Sequence, residues 1–225
     1  MSPALAHSHF LGMEFADATQ PLIVAGMVGF ARGDVWRVAM AAGLDELEYL
    51  AANPALRSRA DLLLLACPAV HRAARLCRHR PPPLFSRDGL WRGFLAGMAG
   101  DGLALHVVCT DGRPVEAWAA RLGLRRLSIS VPPSGLAEDP AALERAVEVI
   151  LHHRADATLL ALPLPDAMLL AARMATLVGG RGLCLMLGQG LPALAGGGGR
   201  GTWRLARSVL WQGPRALRLV LRGAA

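Results

Sequence analysis

The residues best suited to chemistry stand where predicted strands end. Cys109 closes a predicted strand, and Thr110, Asp111 and Gly112 lie between that strand and the next predicted helix. Open α/β sheets bind their ligands at the carboxyl ends of strands, so this loop is a candidate ligand site. An Asp-Gly pair is also a common turn, and that alternative stays open.

Other polar residues have ordinary structural explanations. Asp88 and Asp166 begin predicted helices, where a carboxylate usually caps backbone N–H groups. The glycine-rich runs Leu187–Gly190 and Gly196–Gly201 lack the ending of a Walker loop and the context of a dinucleotide fingerprint, which favours a turn and a hinge. No metal is expected, because the histidines and the four cysteines show no ligand spacing.

The final stretch of the chain is strongly basic. No acidic residue follows Asp166, and the net charge of the whole chain is +7. Arginines mixed with tryptophans and leucines suit a surface that meets an anionic lipid face, with nucleic acid as the other candidate. The residues expected to contact the membrane or a lipid-linked acceptor are Arg204, Arg207, Trp211, Arg215, Arg218 and Arg222.

Composition limits the class of protein. At 225 residues, with 53% apolar and 18% charged residues, the chain can bury a sizeable core and is not disordered. All 24 basic residues are arginine, which indicates a GC-rich genome more than a nucleic-acid partner. No apolar run is long enough to span a bilayer, and no signal peptide is predicted.

The order of elements predicts an α/β fold with a largely parallel, Rossmann-like sheet and helices on both faces. Residues 1–195 form the predicted body, and residues 196–225 form a glycine hinge with a basic amphipathic helical appendage. Predicted strands cover Val35–Met40, Asp61–Leu65, Ala104–Cys109, Leu127–Ser130, Thr158–Leu162 and Leu183–Leu187, after an extended segment at His9–Phe15. Predicted helices cover Pro21–Phe30, Leu44–Ala52, His71–Arg80, Asp88–Gly100, Val115–Leu122, Pro140–His153, Ala167–Leu177, Thr202–Gln212 and Pro214–Arg222.

The order of landmarks from Phe10 to Arg222 resembles the WecG/TagA/CpsF family of bacterial glycosyltransferases. Phe10-Leu11-Gly12 matches its opening strand, Asn53–Arg57 its "dPelr" segment, and Ala155–Leu162 its "aDillvglG" strand. The end matches best, since the spacing from Gly188 to Gly196 is kept. Arg200, Trp203, Trp211 and Pro214–Leu217 then follow in the family order.

The chain departs from the family at its polar positions. The family's catalytic Asp falls on Ala66-Cys67, its "QE" pair on Ala167-Met168, and an Asn near Gly43. Sugar transfer needs a base to take the acceptor proton, and Asp88 and Asp111 are the nearby replacements. The resemblance implies a nucleotide-sugar donor bound by Thr110, Gly112, Gly188 and Arg200.

The resemblance implies a glycosyltransferase that moves a sugar from a nucleotide donor to a lipid-linked acceptor in exopolysaccharide or cell-surface assembly, without a cofactor. The alternative is a catalytically inactive homologue that serves as a membrane-docked scaffold. Expected partners are the donor, the acceptor and an anionic membrane, with a homo- or hetero-oligomer left open. The expected location is cytoplasmic, at the inner face of the plasma membrane. A nucleic-acid partner is not expected, because no recognition helix or aromatic basic sheet is predicted.

Overall fold

The computed structural model describes residues 6–113, 115–116, 124–177, 180–186 and 201–223, and only the backbone for 201–211. Its centre is a six-stranded, all-parallel sheet in the order β4-β3-β8-β7-β5-β6. The predicted parallel α/β fold is therefore confirmed. The sheet strands are β3 (Trp36–Ala42), β4 (Leu62–Leu65), β5 (Leu105–Cys109), β6 (Leu127–Ser130), β7 (Ala157–Ala161) and β8 (Gly182–Met186).

A small hairpin precedes the sheet. The predicted extended segment is two antiparallel strands, β1 (His7–Phe10) and β2 (Met13–Ala16), joined by Leu11 and Gly12. Both turn residues have positive φ angles, 56° and 67°, as a two-residue hairpin turn requires. Leu11 thereby lies at a tight corner, where it is buried in the core.

Helices cover both faces of the sheet, as predicted. The helices are α1 (Gln20–Ala31), α2 (Leu44–Ala52), α3 (Pro54–Arg57), α4 (Pro68–Leu76), α5 (Arg87–Gly100), α6 (Pro140–His153), α7 (Asp166–Met174) and α8 (Gly201–Gly223). One face of the sheet packs against α1 and α5, and the other packs against α2, α4, α6, α7 and the end of α8. Most of the predicted helix Val115–Leu122 lies outside the described residues.

Two predicted caps are wrong in detail. Ser86 rather than Asp88 caps α5, because its Oγ accepts the N–H of Gly89 at 3.2 Å, and Asp88 lies in the first turn. Asp166 is the first residue of α7, and its carboxylate instead accepts the N–H groups of Gly135 and Ala137. This buried carboxylate joins the loop before α6 to the start of α7.

The predicted basic helix His71–Arg80 is displaced toward the N-terminus. It begins at Pro68, whose missing N–H costs nothing in a first turn, and ends at Leu76. Arg78 then adopts a positive φ of 60°, so the helix stops before the three prolines that were expected to end it. Arg78, His79 and Arg80 belong to the exposed segment that follows.

The C-terminal prediction of two helices broken at Gly213-Pro214 is wrong. The structure has the single helix α8, with Pro214 inside it. Proline removes one helical hydrogen bond, but the following turns are held by burial of Ala216, Leu219 and Val220 in the core. The boundary predicted at residues 195 and 196 lies outside the described residues and stays a prediction. In the described part of the chain, no helix combines the length and hydropathy required to cross a membrane.

Candidate functional site

A basic groove lies between α2, α8 and the β1–β2 turn. Its volume is about 630 Å³, within the usual range for small-molecule sites. Its lining joins cationic side chains to apolar ones, so it suits a ligand that carries both an anion and hydrocarbon. The lining residues are Leu11, Glu48, Ala51, Ala52, Arg57, Arg215, Arg218, Leu219, Arg222 and Gly223.

Arg215 fixes one side of the groove. Its Nη2 donates to Asp45 Oδ1 at 2.8 Å and to Glu48, and its Nε donates to Glu48 Oε1 at 3.1 Å. The two carboxylates, Glu48 foremost, raise the pKa of Arg215 above its usual range. Arg215 was predicted to contact the membrane or the acceptor. In this structure it holds α8 against α2, and its charge is already matched.

Arg57, Arg218 and Arg222 supply the positive charge of the groove. Arg57 donates to the carbonyls of Leu50 at 2.9 Å and Ala51 at 2.8 Å, which orders its guanidinium at the end of α2. Arg218 and Arg222 were predicted contacts and lie exposed on α8. Among the described residues, no carboxylate is paired with any of the three, so an anionic ligand would meet uncompensated charge.

The predicted ligand loop lies at the carboxyl end of β5. Thr110 and Asp111 are exposed, and Asp111 Oδ1 accepts the backbone N–H of Arg113 at 3.1 Å, as in an Asx turn. Gly112 packs close to β6, since a Cβ there would lie 3.2 Å from Ile129 Cγ2. Burial raises the pKa of the Cys109 thiol at the strand end, which makes that thiol a poor nucleophile.

The two candidate bases lie far apart along the sheet. Asp88 follows Arg87, which donates to the carbonyl of Ala41 near the end of β3, whereas Asp111 follows β5. Three strand positions separate β3 from β5, or about 14 Å at the usual strand spacing of roughly 4.8 Å. The two carboxylates are therefore alternatives and cannot act as a pair on one bond.

A partly buried ion pair lies at the carboxyl ends of β3 and β4. Glu46 Oε2 accepts the N–H of Gly43 at 2.9 Å and Arg87 Nη2 at 3.0 Å, which joins the start of α2 to the start of α5. A side chain at Gly43 would collide with both partners. Cys67 lies buried beside this pair, and burial raises the pKa of its thiol. Glu46 is thus engaged by a backbone N–H and by a guanidinium.

The remaining predicted site residues cannot be placed. Gly188 and Arg200 lie outside the described residues, and so do the side chains of Arg204, Arg207 and Trp211. The loop that contains Gly188 follows β8, and β8 is hydrogen-bonded to β3.

Sequence reasoning assigned no site role to Arg57, Glu46 or Arg87. Arg57 is the last residue of the segment that matches the family, and its approach to α8 depends on tertiary packing. Glu46 stands three residues after Gly43, which is the spacing of a capping box, but its contact with Arg87 spans 41 residues. Among the described residues, no three His, Cys, Asp or Glu side chains are placed to hold a metal ion.

Comparison with known proteins does not assign this chain to a family. No protein-family model matches the chain, and no curated protein matches it.

Proposed function

We propose that this protein is a divergent glycosyltransferase that accepts a sugar from a nucleotide donor and passes it to a lipid-linked acceptor. The observation that carries the proposal is the groove in which Arg57, Arg218 and Arg222 stand beside Leu11 and Leu219. Arginines bind phosphate oxygens through charge-assisted hydrogen bonds, and the leucines offer contact to the first hydrocarbon units of a lipid. The resemblance to the WecG/TagA/CpsF family supports the same substrate class.

The donor would lie over the loops after β5 and β8, at the carboxyl edge of the sheet, where parallel α/β proteins bind nucleotides. Thr110 and Gly112 would contact the donor from the first loop, and Gly188 and Arg200 from the second. The acceptor would enter along α2. Asp111 or Asp88 would take the proton of the acceptor hydroxyl while the nucleotide diphosphate leaves.

A second candidate function is a catalytically inactive homologue that binds the acceptor lipid without transferring sugar. It is favoured by the positions that match the catalytic carboxylate of the family, which hold Ala66 and the buried Cys67. The carboxylate nearest to them, Glu46, is matched by Arg87. The protein would then serve as a membrane-docked scaffold in polysaccharide assembly.

Sugar transfer by the full chain distinguishes the two candidates. Purified protein is incubated with labelled uridine diphosphate sugars and a polyprenyl-diphosphate-linked sugar, and labelled lipid is extracted. We expect slow transfer that Asp111→Asn or Asp88→Asn lowers by roughly 10²- to 10⁴-fold, because general-base assistance is lost. Exposed Asp101→Asn, at the far end of α5, serves as the control. Acceptor binding with no transfer by the unaltered protein would contradict the enzyme and support the inactive homologue.

A further inference from the structure

A second basic surface lies outside the C-terminal tail. Between Leu62 and Arg87 the chain has no acidic residue, and this run contains α4 and the loop after it. Arg72, Arg75, Arg78 and Arg80 are all exposed. In the described part of the chain, no carboxylate is paired with any of these four arginines.

The inner side of α4 joins this surface to α8. Ala69, Val70, Ala73 and Ala74 are buried, and they belong to the same core cluster as Ala216, Leu219 and Val220 of α8. Small side chains on α4 allow the two helices to pack closely. The loop after α4 meets the end of α8, because His79 lines a small pocket together with Val220 and Gly223.

Exposed leucines accompany the arginines on both segments. Leu76, the last residue of α4, is 77% exposed, and Leu84 after the three prolines is 42% exposed. On α8, Leu217 and Leu221 are exposed one turn apart, at 40% and 56%. Arginines with interspersed large apolar side chains favour the boundary between lipid headgroups and acyl chains.

We propose that the outer faces of α4, residues 78–84 and α8 form one docking surface for an anionic phospholipid bilayer. This inference rests on the membrane partner in the proposed function and extends the contact beyond the tail. A bilayer fits better than single-stranded nucleic acid, because residues 71–84 hold four arginines and two exposed leucines but no Phe, Tyr or Trp as a platform for base stacking. Docking by this surface would bring the basic groove, which α8 also lines, to the membrane.

Vesicle sedimentation with the full-length protein tests the surface. Vesicles contain phosphatidylcholine with phosphatidylglycerol, or phosphatidylcholine alone. The test variant replaces Arg72, Arg75, Arg78 and Arg80 with Gln, and a matched control replaces the exposed Arg92, Arg113, Arg125 and Arg126 with Gln. We expect the test variant to bind anionic vesicles at least tenfold more weakly, because four arginines that attract the anionic headgroups are lost.

Further variants distinguish failure of the α4 surface from failure of membrane binding as a whole. Leu76→Ser should also weaken binding, while circular dichroism checks that each variant is folded. Equal binding by the test and control variants, with loss of binding in Arg218→Gln/Arg222→Gln, would overturn the α4 surface and leave tail docking intact. No binding by the unaltered protein would overturn both the surface and the membrane partner, but not sugar transfer itself. Displacement of vesicles by a short RNA that needs the same four arginines would assign the surface to nucleic acid instead.

Discussion

His106 shows how a polar residue is held inside this fold. It lies fully buried on β5, with Nδ1 2.7 Å from Ser128 Oγ and Nε2 3.0 Å from Ser130 Oγ on the neighbouring β6. Its ring stacks on His153, with the centroids 4.2 Å apart. Burial, and then the charge of His153, lowers the pKa of His106 from 6.5 to about 4.

This residue makes stability depend on pH. The unfolded chain binds a proton at His106 near pH 6.5, but the folded protein does so only near pH 4. The unfolded state therefore binds more protons within that window, and the free energy of unfolding falls as the pH drops from about 6.5 to 4. The slope from this residue is at most about 1.4 kcal/mol per pH unit.

Urea unfolding across pH 4–7 checks this prediction. His106→Gln should flatten the slope, because glutamine does not titrate, whereas the exposed His79→Gln should keep it. The same slope in the unaltered protein and in His106→Gln would assign the pH dependence to other groups.

At the scale of elements, α8 shows what a sequence pattern can and cannot predict. The arginine spacing of its second half predicted a helical face, and Arg218 and Arg222 do lie exposed. The pattern could not reveal that Ala216, Leu219 and Val220 join the core, because their partners on α4 lie about 140 residues earlier. Pro214 predicts a helix end because proline has a low helix propensity. Tertiary packing of the following residues overrides that propensity, and the helix continues.

Packing of α8 on the body has a measurable consequence. Val220 is buried and its neighbour Leu221 is 56% exposed, so the pair offers a matched comparison. We expect Val220→Ala to lower the free energy of unfolding by roughly 2 kcal/mol, because it leaves a cavity. Leu221→Ala should change it by no more than about 0.5 kcal/mol. Denaturant titrations in which both substitutions have the same small effect would show that α8 does not pack on α4.

Sequence reasoning predicted the sheet better than the site. Every strand of the parallel sheet was predicted within two residues, since short apolar runs between helices have few other solutions. The candidate loop after β5 was also predicted, because its position follows directly once the end of the strand is known. The groove was not predicted. It forms only when Arg57 of α3, Arg218 of α8 and Leu11 of the hairpin, which are distant in sequence, come together in the folded protein.

At the scale of the whole molecule, the proposed function involves three surfaces. We propose that the carboxyl edge of the sheet binds the donor, that the groove along α2 binds the head of the acceptor, and that the outer faces of α4 and α8 contact the membrane. Arg215, held by Asp45 and Glu48, keeps α8 between the groove and α4. A lipid-linked acceptor could then reach the sheet edge while its tail stays in the bilayer.

The central claim is that the groove binds the diphosphate head of a lipid, and calorimetric titration with geranyl diphosphate tests it most directly. We predict that Arg218→Gln/Arg222→Gln binds at least tenfold more weakly than the unaltered protein, because charge-assisted hydrogen bonds contribute about 1.5–3 kcal/mol each. The control variant Arg92→Gln/Arg125→Gln should bind geranyl diphosphate as tightly as the unaltered protein does. Geranyl alcohol, which lacks the diphosphate, should bind neither to the unaltered protein nor to the control variant. Equal affinity of the unaltered protein and the groove variant, or no binding at all, would contradict the claim.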